Sequence, residues 1–170
     1  MSASSSLNPP PLPRPGPYSR LVNRFSATKP GSWLVRNVAS KVDPKLFKLS
    51  NGRFTVTGKP TLPQMAMTVT GRKSGEPRTV QVAFHRDGDD YLIVASAMGQ
   101  ERHPAWRYNI DANPDVEIQV QGRSFHATAT KLDLAERARL WPAIATTIPQ
   151  MHTYIERTDR ELEVYRLTET

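Results

Sequence analysis

Apolar and polar positions alternate most clearly in the second half of the chain. Met65 to Thr70 reads as a strand, and Thr79 to Arg86 puts Val80, Val82 and Phe84 on one face of a second. Asp87-Gly88-Asp89-Asp90 is a turn, after which Tyr91 to Ser96 returns as a mostly apolar strand. Val116, Ile118 and Val120 alternate on another strand, Gly122 suits a tight hairpin, and Phe125, Ala127 and Ala129 alternate on its partner. Glu161 to Leu167 predicts a closing strand. Helices fall between these strands. One runs from Pro104 to Ala112 and stops at Asn113-Pro114. Another opens at the capping box Asp133-Leu134-Ala135-Glu136, and Pro142 is expected to kink or split it. A third runs from Pro149 through Arg157. Hairpins with inserted helices predict an α+β protein, mainly antiparallel β, built as a small barrel rather than a doubly wound sheet.

The first third reads differently. Residues 1–17 hold six of the fifteen prolines and a serine cluster, a composition that buries too little surface to fold. Residues 18–52 alternate cations with apolar residues; Leu34, Val38 and Val42 are helically spaced, and Asp43-Pro44 starts a second short helix that Asn51-Gly52 ends. This segment is a basic amphipathic helical region, and either the domain surface or an anionic membrane suits its apolar side. Arg53 to Pro63 is irregular, so residues 53–170 form the single folded domain.

Composition narrows the function. Hydrophobic content is 38% and mean hydropathy −0.53, and no stretch approaches the roughly 20 apolar residues of a membrane span. Cysteine is absent, which excludes disulfides, thiolate catalysis and Cys-ligated metals, and makes a cytoplasmic location the expectation. Net charge is +7, but nine Lys/Arg against Asp43 alone lie up to Arg53, giving +8 there and −1 in the remainder. The basic character therefore belongs to the N-terminal third and not to the domain.

Two loops carry the candidate chemistry. Gly71-Arg72-Lys73-Ser74-Gly75-Glu76-Pro77-Arg78 packs three cations, a hydroxyl and two glycines into eight residues, a composition that suits a phosphate cradle and equally a charged hairpin tip. The second, Ser96-Ala97-Met98-Gly99-Gln100-Glu101-Arg102-His103-Pro104, ends in a proline suited to the first helical position, which leaves helix N-terminal N–H groups for a ligand shared with the first loop. No Walker A, G-x-G-x-x-G, H-E-x-x-H or G-x-S-x-G spacing occurs. His85, His103, His126 and His152 make no metal spacing and are expected in surface or capping roles. An enzyme with no evident acid, base or nucleophile relies on a bound cofactor.

Met67 to Arg78, followed by Arg86-Asp87-Gly88, Ala95-Ser96, His103-Pro104-Ala105-Trp106, Asn109, Ala112-Asn113-Pro114, Trp141-Pro142 and Thr158-Asp159-Arg160, resembles the deazaflavin (coenzyme F420)-dependent nitroreductase and quinone reductase family. The resemblance covers roughly residues 53–170 and implies a split β-barrel of the flavin-reductase type. It implies that Arg72, Lys73 and Arg78, with Ser74, Gly75 and Pro77, hold the anionic tail of F420. Ser96, Ala97, Met98, Gly99, His103, Pro104, Ala105 and Trp106 would line the deazaflavin. Ser96 and Tyr154 are the implied proton donors, and Ala83, Ile148, Met151 and Tyr154 the implied acceptor-side residues. The expected reaction is hydride transfer from deazaflavin C5 to a quinone or activated enone.

The chain departs from the family's nitroimidazole-active members, which carry tyrosines where Ile148, Met151 and Ala83 stand, so nitroaromatic reduction is the lesser expectation. Two further readings remain open: an FMN-dependent oxidoreductase of the same fold, and a non-enzymatic nucleic-acid binder motivated by a pI of about 10.0. The near-neutral folded region argues against nucleic acid. A small-molecule acceptor, contact of residues 18–52 with an anionic membrane at its inner face, and a monomer or homodimer complete the expectations.

Overall fold

The computed structural model describes residues 62–170. Expectations for residues 1–17, 18–52 and 53–61 lie outside them. Six strands, β1 (Gln64–Thr70), β2 (Pro77–Asp87), β3 (Asp90–Val94), β4 (Asp115–Val120), β5 (Arg123–Lys131) and β6 (Val164–Glu169), close into one barrel in the order β1-β2-β3-β6-β5-β4. Every pairing is antiparallel. Three helices interrupt the strands: α1 (Ala105–Ala112), α2 (Leu134–Thr147) and α3 (Gln150–Glu156).

The period-two pattern places Met65, Met67, Val69, Phe84, Ile93 and Ile118 inside the barrel, with Trp106 and Ile110 of α1 joining that core. A second core lies outside the barrel wall, where Leu140, Ile144 and Ile148 of α2 and Met151 of α3 pack on Leu92, Val94 and Val164. Strand β3 is buried on both faces by these two cores, which is why it is continuously apolar from Tyr91 to Val94 rather than alternating.

Several boundaries differ from the sequence reading. β3 ends at Val94, because Ser96 turns into the right-handed helical region and begins the second loop. β6 starts at Val164, not Glu161. Pro104 is the N-cap of α1 in extended conformation, and Ala105 is the first helical residue. Pro142 does not split α2, which runs unbroken through it. Both Pro142 and Ala138, the residue whose carbonyl the proline leaves without a helical donor, are exposed, so water meets that carbonyl while Leu140, Ile144 and Ala145 hold the helix down. The capping box is half formed. Asp133 accepts the Glu136 N–H at 2.7 Å, but the Glu136 carboxylate accepts from Arg166 Nη2 at 2.6 Å instead of returning to the cap. Arg166 also donates to Asp87 and Asp90, each at 2.9 Å, and thereby ties the β2-β3 turn to α2.

Candidate active site

The first loop joins β1 to β2. Its Gly71 N–H donates to Glu76 O at 2.9 Å and its Gly75 N–H to Gly71 O at 2.7 Å. Ser74 Oγ accepts from the Glu76 N–H at 3.3 Å and from Arg78 Nη2 at 3.4 Å. A Cβ on Gly71 would lie 2.7 Å from Ser74 Oγ and 2.9 Å from Arg78 Nε, so an added methyl would have to displace both side chains. Arg72, Lys73 and Arg78 are exposed, and no carboxylate pairs with them among the described residues. The loop is anchored from below. Asn109, buried in α1, accepts the Arg72 N–H on its side-chain oxygen at 3.2 Å, and the Arg72 guanidinium lies 5.0 Å from the centre of the Tyr108 ring.

The second loop and the two outer helices enclose a cleft of about 400 Å3. Ser96, Ala97, Met98, Pro104 and Trp106 line it from the second loop and α1, and Ala83, Ile148, Met151 and Tyr154 from β2, the end of α2 and α3. These nine were all singled out from the sequence. Three neighbours in the second-loop set lie elsewhere. Gly99 is buried with its Cα side against α3, Ala105 is exposed, and the His103 ring faces the Arg160 guanidinium. None of residues 71–78 lines the cleft, so a ligand shared by the two loops would extend beyond it. They meet through α1 instead: Trp106 in the cleft wall and Asn109 beneath Arg72 are three residues apart, on one face of the helix.

Sequence reasoning missed the cleft's polar lining. Gln64 on β1 and Gln81 on β2 stand diagonally across the strand pair, with the Gln81 amide donating to the Gln64 side-chain oxygen, and Gln150 of α3 joins them. The sequence carried no signal for them, since Gln64 shares its strand face with Thr68 and Thr70, and Gln81 with Thr79 and His85. His85 also has a role that the surface expectation overlooked. Its Nδ1 shares a hydrogen bond of 2.6 Å with Thr147 Oγ1, a hydroxyl that also lies 3.2 Å from Ala143 O. Burial lowers the His85 pKa below the usual value. His126 and His152 are exposed, as expected.

Under the second loop lies a buried charge cluster. Glu163, 7% exposed, accepts from Arg107 through both carboxylate oxygens and from Lys131 Nζ at 2.6 Å. Burial alone would raise the carboxyl, but the Arg107 and Lys131 hydrogen bonds hold it down at about 2. Tyr165 donates to Asp111 at 2.7 Å, and burial pushes its phenol up. His103 is lowered by burial and by the Arg160 charge, and its Nδ1 accepts from Arg160 Nη1 at 3.3 Å. Among the described residues no three His, Asp or Glu side chains are placed to hold a metal ion, and no helix is long and apolar enough to cross a membrane.

The antiparallel barrel thus carries an apolar cleft at its wall and a cationic loop beyond one short helix. The sequence model of the F420H(2)-dependent quinone reductase family matches residues 41–169. A Mycobacterium tuberculosis protein named F420H(2)-dependent quinone reductase is 38% identical over 144 residues, covering 80% of this chain and 95% of the relative. A Mycobacterium bovis protein with the corresponding name matches equally, at 38% over 144 residues. A solved structure described as an F420-H2 dependent reductase superposes with a TM-score of 0.58 at 33% identity, covering 62% of this chain and 93% of that one. Another, described as a domain-swapped dimer, has a TM-score of 0.59 at 29% identity and covers 82% of this chain and 99% of its own. The chain belongs to the F420H(2)-dependent quinone reductase family. Family membership makes it an oxidoreductase whose cofactor is coenzyme F420, and sets aside the FMN and nucleic-acid readings.

Proposed function

We propose that the cleft holds the deazaflavin ring of F420H2 against a quinone, while the 71–78 loop holds the cofactor's anionic tail. One observation carries this reading: the ring-side and acceptor-side residues line the same cleft, one short helix away from three cations that lack carboxylate partners among the described residues. The residues fit such a cofactor chemically. The cleft offers Trp106, Met98 and Pro104 to a flat ring and the Gln64, Gln81 and Gln150 amides to its carbonyl edges or those of an acceptor. When bound, reduced F420 supplies a hydride from C5.

The protein's part is binding, orientation and proton supply. Arg72, Lys73 and Arg78 bind phosphate and carboxylates, with Ser74 orienting Arg78. Ala97, Met98 and Pro104 set the depth of the ring, and Ala83, Ile148 and Met151 exclude water beside the acceptor. Tyr154 Oη or Ser96 Oγ delivers a proton to the acceptor oxygen that becomes negative. Among the described lining residues only Trp106 and Tyr154 are aromatic, which favours quinones over nitroimidazoles as acceptors. The excess of cations before Phe54 supports peripheral contact with anionic lipid, where a lipid quinone resides; retention on anionic liposomes at low salt tests this, and free passage rejects it. The likeness to a domain-swapped dimer supports a homodimer.

The deciding experiment combines F420 titration with quinone reduction. Lys73→Ala with Arg78→Ala should weaken F420 binding by at least tenfold at an intact fold, and unchanged affinity would remove the tail assignment.

A further inference from the structure

We infer that Arg160 is a positioning residue that fixes the distance between the two walls of the cleft, an inference that rests on the proposed roles of those walls. The Arg160 guanidinium donates to Ser96 O at 2.6 Å, to Ala95 O at 3.0 Å and to Gln100 O at 2.8 Å. These three carbonyls bracket Ala97, Met98 and Gly99, which have φ values of +46°, +58° and +75°. Two of the three are not glycine, so the arc adopts a conformation that L residues rarely take and that the surroundings must enforce. Within it only short turns form, Gly99 N–H to Ser96 O at 2.9 Å and Gln100 N–H to Ala97 O at 3.1 Å. Arg160 grips both ends from one planar group.

The arc's inner side meets α3. A Cβ on Gly99 would lie 2.9 Å from Arg157 Cβ and 3.1 Å from Tyr154 O, so backbone rests on backbone there. Tyr154 and Met151 of α3 form the acceptor-side wall, and Ala97 and Met98 of the arc form the ring-side wall. Arg160 follows α3 by four residues and reaches back across the arc, which clamps the two walls at a fixed spacing. Five N–H groups in a rigid fork reach carbonyls lying in different directions, which a lysine ammonium on a flexible stem does not reproduce. A shift of ring against acceptor costs rate more than binding, because near-attack geometry tolerates little displacement.

The test uses the full chain with Arg160→Lys and Arg160→Gln, and with Gly99→Ala to push the arc off α3 while Arg160 stays. F420 affinity, kcat and KM with menadione, and amide hydrogen exchange are measured. Expected results are an F420 Kd within about threefold of wild type, a kcat lowered about tenfold or more, and faster exchange confined to residues 97–100 with barrel strands unchanged. Gly99→Ala should reproduce that split. Unchanged kcat, unchanged exchange at 97–100, or variants that all fail to fold would each overturn the proposal, the last by assigning Arg160 to the whole fold. A wild-type protein that binds no F420 would remove the functional reading alone, since exchange still reports on the clamp.

Discussion

The Arg72 backbone N–H donates to the Asn109 side-chain oxygen at 3.2 Å, so a residue buried in α1 fixes the start of the cation loop. Asn109 is 7% exposed, and the contact spans 37 positions of sequence. Asn109→Leu should cost about 1–3 kcal/mol, the range for leaving a buried polar partner unpaired. F420 affinity should fall severalfold while menadione KM holds. Urea unfolding and F420 titration check both halves, and an unaltered Kd at the reduced stability would show that the loop holds its shape without the anchor.

Gly71→Ala acts on the same loop by a different route. The added Cβ would press on Ser74 Oγ and Arg78 Nε at 2.7 and 2.9 Å. It should therefore displace the Arg78 cation and weaken F420 binding by about tenfold, of the order of one charge-assisted hydrogen bond. Pairing it with Arg78→Ala in a double-mutant cycle should give a combined loss smaller than the sum. Full additivity would place the two effects at independent sites.

Glu163 sets an acid limit on stability. Its folded pKa of about 2 lies below the ordinary 4.5, so its contribution is present above that ordinary value and is lost as pH falls from about 4.5 toward 2. Thermal midpoints measured from pH 7 to pH 2.5 should drop steeply below about 4.5 in wild type. Glu163→Gln should flatten that slope while lowering stability at pH 7 by about 3 kcal/mol, as expected for one member removed from a buried ion pair. An equally steep slope in the variant would assign the acid sensitivity to other carboxylates.

Tyr154→Phe isolates the proposed proton donor. The ring and its packing remain, so F420 affinity should stay unchanged while kcat falls by about 100-fold or more. Ser96→Ala is the companion variant. Whichever of the two leaves kcat intact is not the donor.

The strands were legible because period-two alternation is a local property: Val80, Val82 and Phe84 on β2 and Val116, Ile118 and Val120 on β4 emerged as read. The cleft residues Ser96, Met98, Ala83, Met151 and Tyr154 were legible only through family resemblance, since spacing alone does not bring β2, the second loop and α3 together. What remained hidden depends on contacts far apart in sequence. Glu136 looked like a complete capping box, yet a guanidinium 30 positions away offers its carboxylate a stronger partner than the cap N–H. Arg160 entered only as part of the Thr158-Asp159-Arg160 motif, because its acceptors, up to 65 positions away, come together only in the fold. Pro142 misled in the other direction, because helix propensity is overridden where one face is well packed and the freed carbonyl meets water.

The barrel order carries a consequence for synthesis. β6 sits between β3 and β5, so the nascent barrel has two open edges until Val164–Glu169 leaves the ribosome. Before that moment the apolar β3 is bare along one side and offers its backbone groups to any passing strand. Damaging β6 should therefore reduce soluble yield in the cell more than the lost native contacts alone would suggest, since the exposed partner of β6 is the most apolar strand of the barrel.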